Sequence, residues 1–153
     1  MKAGLAVEFV PDVLARDGIA WVTAVSWSMA PLIRPGDALR VTPVGADPPR
    51  TGAIVAYRSG AQLIVHRVVA ATREGVVTRG DGLRDADEPV ARTRVIGRVT
   101  AIRTATGRTL DLERPPWPLL ERAFGWLAGL RVRGGLRWKA RRLPFHVAAA
   151  LWR

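Results

Sequence analysis

The chain has 153 residues and a mass of 16.7 kDa, enough to bury roughly two-thirds of its unfolded surface in one domain without a disulfide or metal staple. Hydrophobic residues at 48% and charged residues at 24% exclude collagen-like, coiled-coil and wholly disordered chains. Cysteine is absent, which removes disulfide frameworks, Cys-ligated zinc and thiol catalysis, and His66 and His146, the two histidines, are too few for a His-rich metal site.

The net charge is +11, with 24 basic and 13 acidic residues, and Lys2 and Lys139 are the only lysines. The excess is uneven: residues 117–153 carry 8 basic residues and one acid, Glu121, together with Trp117, Trp126, Trp138 and Trp152. Glu8, Asp12 and Asp17 interrupt any apolar run near the start, so neither a signal peptide nor an N-terminal anchor is expected. No window reaches the roughly 18 uninterrupted apolar residues of a spanning helix. A soluble or peripheral protein is therefore expected.

In chain order, a helix is predicted around Phe9–Asp17, then β-rich runs at Ile19–Val25, Ala38–Val44, Ala53–Arg58, Leu63–Val69, Gly75–Thr78, Val95–Arg103 and Thr109–Leu112. Pro35-Gly36-Asp37, Pro48-Pro49, Ser59-Gly60, Gly80-Asp81-Gly82 and Thr106-Gly107 separate them. Short strands with regular Gly/Pro punctuation predict a compact, mostly β domain. The proline cluster at 115–118 divides residues 1–114 from a basic tail over 119–153. In that tail Leu120, Ala123, Phe124, Leu127 and Leu130 recur at i, i+3, i+4, i+7 spacing and predict an amphipathic helix. Gly134-Gly135 breaks it, and a second basic, aromatic stretch follows.

Three places could carry chemistry: Ser26-Trp27-Ser28-Met29-Ala30-Pro31, the strand histidine His66, and Gly80-Asp81-Gly82 followed by Asp85 and Asp87. A serine becomes a nucleophile when a base takes its proton and a third group orients that base. Imidazole suits the base role near neutrality, and donors aimed at a developing oxyanion complete an acyl-transfer site. Taken singly, each feature has an ordinary reading. Ser28 is a turn serine, His66 a core histidine, Gly-Asp-Gly a tight turn, and Asp85, Asp87 and Glu88 a solvated loop face.

In combination they resemble the S26 signal peptidase family. The matching boxes are Val25-Ser26-Trp27-Ser28-Met29-Ala30-Pro31 through Gly36-Asp37, then Gly52–Tyr57, then Ile64-Val65-His66-Arg67-Val68-Val69, then Thr78-Arg79-Gly80-Asp81, with Gly97-Arg98-Val99 fitting a closing strand. The likeness spans residues 20–104 and is to the Ser/His branch found in endoplasmic-reticulum, archaeal and some Gram-positive enzymes. It implies a signal-peptidase/LexA-like β fold, here with a C-terminal amphipathic helical tail. It also implies a serine endopeptidase that cleaves a leader or signal segment after small residues, with no metal or cofactor.

By the resemblance Ser28 is the nucleophile, and His66 stands where the other branch has its lysine base. Neither Lys2 nor Lys139 lies near that box. Asp81 matches the family's Gly-Asp and Asp87 its second acidic position; which of them orients His66 stays open, with Asp85 a third choice. Ser26 and the Ser28 N–H match the oxyanion hole. Trp27, which replaces a common glycine, together with Met29 and Pro31 would shape the turn and the substrate groove.

A tail rich in Arg and Trp suits a bilayer interface, so a peripheral membrane protein of bacterial or archaeal type is expected. It would lie on the cytoplasmic side unless a partner exports it, and would act on the leader or propeptide of a small secreted or modified peptide. The alternatives are a tail helix packed on the β domain, and nucleic-acid binding by the basic stretch. Two rival functions follow: a LexA-like self-cleaving protein, and a non-enzymatic basic membrane- or nucleic-acid-binding module on a degenerate peptidase fold.

Overall fold

The structure, a computed structural model, describes residues 8–129 and 135–152, with side chains over 8–127 and 143–152. The readings that involve Lys2, Leu130, Gly134 and Arg153, and the side chains of Trp138 and Lys139, lie outside these residues. The domain is mostly β, as the strand pattern predicts, with helices at either end of the described chain.

Helix α1 (Val10–Asp17) opens with Pro11 in its first turn and closes on Gly18, whose φ of 69° gives the left-handed cap. Eight strands follow: β1 (Ala20–Thr23), β2 (Ala38–Thr42), β3 (Ile54–Ser59), β4 (Gln62–Ala71), β5 (Gly75–Arg79), β6 (Val90–Ala91), β7 (Val95–Arg103) and β8 (Thr109–Asp111). All recorded pairings are antiparallel, in the order β1-β2-β7-β3-β4-β5-β6, with β8 also on β7. The long strand β7 is the spine: its first half pairs with β3, while its second half pairs with β2 and β8. The two-residue β6 and the 3-10 turn Arg92–Arg94 behind it are too short to leave a periodic signal.

The sheet separates two cores. Along β3, Ile54 and Ala56 enter the larger cluster with Leu39, Val41, Val99 and Ile102, while Val55 and Tyr57 enter the smaller one with Val68, Val76 and Val90. Burial on both faces explains why this strand reads as an unbroken apolar run. Strand β4 obeys the same alternation. Leu63 and Val65 pack toward the larger core and Ile64 and Val68 toward the smaller, so the adjacent His66 and Arg67 leave opposite faces.

Helix α2 (Trp117–Gly129) begins inside the proline cluster, three residues earlier than the apolar periodicity indicates. Pro118 is tolerated there because a first-turn residue has no intrahelical acceptor for its N–H. Two glycines let the helix touch the sheet. A Cβ added at Gly52 would lie 1.9 Å from the Glu121 carbonyl oxygen, and one at Gly125 would lie 2.6 Å from the Gly52 nitrogen. Helix α3 (Gly135–Trp152) follows, and Trp117, Phe124, Phe145 and Ala148 join the larger core.

Glu121 is carried into this contact. Its carboxylate lies 3.7 Å from the Arg98 guanidinium, and its Oε1 is buried without a hydrogen-bond partner. Burial raises its pKa, against the opposing pull of Arg98 and Arg67. A carboxyl whose folded pKa lies above its unfolded one favours folding more as pH falls through the raised value. The contribution of Glu121 to stability is therefore expected to increase from neutral to mildly acid pH. Urea unfolding of Glu121→Gln should show a higher midpoint at neutral pH and a flatter pH dependence.

Candidate active site

The segment after β1 is anchored by its apolar residues. Met29, Leu32 and Ile33 are buried in the larger core, and Pro31 is buried as well. Backbone bonds from Ala30 N–H to the Trp27 carbonyl (3.0 Å) and from Ile33 N–H to the Met29 carbonyl (3.1 Å) fold it into consecutive turns. This leaves Ser28 half-buried, Ser26 exposed and the Trp27 ring 67% exposed. Of the three residues expected along a substrate groove, Trp27 is thus the accessible one, and Met29 and Pro31 support the turn from beneath. The hydroxyls of Ser26 and Ser28 lie 3.0 Å apart, and the Ser28 N–H points at Ser26 Oγ at 3.4 Å.

On the smaller-core face of β4, His66 is 6% exposed, and its Nδ1 lies 2.6 Å from Asp87 Oδ2. The same carboxylate oxygen accepts from Thr78 Oγ1 at 2.6 Å and from the Tyr57 hydroxyl at 3.2 Å. Asp87 is itself tied by its backbone, its N–H donating to the Thr78 carbonyl at 2.8 Å. Burial, assisted by the neighbouring Asp87 charge, raises the Tyr57 pKa, although the Thr78 contact opposes the shift. The phenol is therefore kept as a donor. An acceptor on Nδ1 fixes the imidazole tautomer and leaves Nε2 as the basic nitrogen.

The acidic choices left open by the sequence occupy different places. Asp87 contacts His66. Asp81 instead makes a two-pronged pair with Arg67, Nε to Oδ1 at 2.8 Å and Nη2 to Oδ2 at 2.7 Å, with both side chains almost wholly buried. Asp85 is exposed.

The segment 78–87 joins the two halves of the site. Where its two ends meet, Thr78 donates to Asp87, and Asp87 contacts the imidazole. At its turn, Gly82 N–H donates to the Ser28 carbonyl at 2.8 Å. A Cβ at Gly80 would lie 2.4 Å from that same carbonyl oxygen, and one at Gly82 would lie 2.9 Å from the Trp27 carbonyl. Glycine is required here by close approach, not only by turn geometry. Gly80→Ala is expected to cost about 1–3 kcal/mol through overpacking, read as a lower urea midpoint. Among the described contacts the Ser28 hydroxyl is bonded to Ser26, and none joins it directly to His66.

Tyr57, Thr78 and Arg67 are the contributors that sequence reasoning left without a role. Their signal was present but thin: each is a polar group inside an apolar strand run, where a buried donor must find a partner. No cluster of three or more metal-ligating side chains occurs among the described residues. No described helix is long and apolar enough to cross a membrane. The chain matches no family model and no curated protein.

Proposed function

We propose that the protein is a serine endopeptidase of signal-peptidase type, with Ser28 as nucleophile, His66 as general base and Asp87 as the group that orients it. The observation that carries this reading is the 2.6 Å contact between His66 Nδ1 and an Asp87 oxygen that also accepts from Thr78 and Tyr57. A carboxylate held by three donors is built to fix one imidazole tautomer. The segment that carries it also contacts the Ser28 backbone.

In the reaction the Ser28 hydroxyl exchanges its Ser26 partner for His66 Nε2 and gives up its proton as Oγ attacks the scissile carbonyl. Unliganded sites commonly hold such contacts open and tighten them only around substrate. The Ser28 N–H and the Ser26 hydroxyl then donate to the oxyanion. His66 returns the proton to the leaving amine, and a water activated by the same imidazole releases the acyl-enzyme. By the family resemblance the substrate is an extended leader segment with small residues before the cleaved bond, and the exposed Trp27 ring is available to it.

A membrane surface is the proposed partner of the C-terminal helices. Leu143, Val147 and Leu151 form an exposed apolar stripe at four-residue spacing on α3, and Leu119 and Trp126 are exposed on α2. They lie within a segment of net charge +7. That combination suits an anionic interface.

The test is cleavage of a peptide library by the full chain, with and without anionic vesicles. Cuts after small residues, enhanced by vesicles, are expected. Binding without cleavage would favour the non-enzymatic alternative.

A further inference from the structure

His66 and Arg67 are neighbours in β4 whose side chains leave opposite faces of the sheet. Whatever fixes Arg67 therefore fixes the backbone that carries the imidazole. Arg67 is 1% exposed, and its whole guanidinium is engaged. Nε and Nη2 bind Asp81, Nη1 donates to the Gly52 carbonyl at 2.8 Å, and the centre of the group lies 5.3 Å from the Phe124 ring and 5.1 Å from the Phe145 ring. The two rings are themselves 4.7 Å apart, one from α2 and one from α3. A desolvated arginine gains from such faces beyond its ion pair.

Asp81, the other end of the pair, sits between Gly80 and Gly82, whose backbones abut the Ser28 carbonyl. One continuous set of contacts thus runs from the two rings through Arg67 and Asp81 to the turn beneath Ser28, while Arg67 is covalently next to His66.

We infer that Phe124 and Phe145 are positioning residues for the catalytic turn, which makes the C-terminal helical pair part of the active-site scaffold as well as a surface element. The inference rests on the reading of Ser28 and His66 as nucleophile and base. The rings fix the guanidinium plane, the guanidinium fixes the Asp81 carboxylate, and Asp81 fixes the height of the turn against which Ser28 rests.

The experiment is amide hydrogen exchange on the full chain, comparing wild type, Phe145→Leu and Phe145→Tyr. Leucine keeps apolar bulk and removes the ring; tyrosine keeps the ring. The probe is Gly82 N–H, which bonds the Ser28 carbonyl, and the control is Val41 N–H in β2. Exchange at Gly82 is expected to rise tenfold or more in Phe145→Leu and return toward wild type in Phe145→Tyr, with Val41 unchanged. Unchanged Gly82 protection, a parallel loss at Val41, or no rescue by tyrosine would each overturn the inference.

Cleavage kinetics supply the second readout, with about a tenfold fall in kcat and an unchanged KM expected for Phe145→Leu. Full kcat in a folded Phe145→Leu protein would overturn the inference while leaving the peptidase reading intact. Ser28→Ala cleaving like wild type would remove that reading instead, and the exchange result would still say whether the rings hold the turn.

Discussion

Replacing Ser28 by alanine is expected to lower peptide cleavage by roughly three to six orders of magnitude, the range found when a catalytic nucleophile is removed. The fold should be almost unaffected. Among the described residues the Ser28 hydroxyl bonds only the exposed Ser26 hydroxyl, and losing a contact of this kind changes stability by about 0.5 kcal/mol or less. His66→Ala should produce a rate loss of the same order, because nucleophile and base act as one unit. The double variant should be no worse than either single one. Mass spectrometry of a peptide library reads all three proteins together. Cleavage that survives Ser28→Ala at the wild-type rate would end the serine-peptidase reading.

The second large effect separates buried Asp81 from half-buried Asp87. Asp87→Asn is expected to lower kcat about 10⁴-fold with a small change in melting temperature. Thr78, Tyr57 and His66 all meet one carboxylate oxygen, so an asparagine either turns its amide nitrogen to His66 and selects the wrong tautomer, or keeps an oxygen there and loses the charge that stabilises the imidazolium. Asp81→Asn should act mainly on stability, with a kcat loss nearer the tenfold expected of Phe145→Leu than that of Asp87→Asn. It leaves the buried Arg67 charge without its carboxylate, a loss of about 3–5 kcal/mol, or roughly 10 °C in Tm for a chain of this size. Melting curves and kcat measured on both variants decide the matter. A rate loss confined to Asp81→Asn, with a stability loss confined to Asp87→Asn, would exchange the two roles.

The contrast between these aspartates also shows how far the sequence reached. Both are in the acidic segment after Thr78, and by spacing either could face the histidine. Period-two alternation puts His66 and Arg67 on opposite faces of β4. Which aspartate meets which face depends on how the segment 80–87 returns across the sheet. That path is set by contacts between residues far apart in the chain: Gly82 with Ser28, and Asp87 with Tyr57 and Thr78.

The helices tell a similar story. The apolar periodicity from Leu120 is a local property and announces α2, whereas the start at Trp117 depends on prolines that a first turn tolerates as readily as a linker does. Phe124 lies on the apolar stripe, and nothing in its surroundings indicates that it would cover an arginine with four strands of sequence between them.

By itself, then, the sequence determined the elements and the order of the site boxes: seven strands of the sheet, helix α1, the apolar stripe of α2, and the serine, histidine and acidic segments. These follow from alternation, turn residues and composition, all of which act over a few neighbouring positions. The partners are chosen by contacts between distant segments. Asp87 stands on His66, Asp81 on Arg67, two glycines lie under Ser28, and two phenylalanines close over the guanidinium. Those choices satisfy buried charges and donors whose cost is felt only once distant segments have excluded water from them.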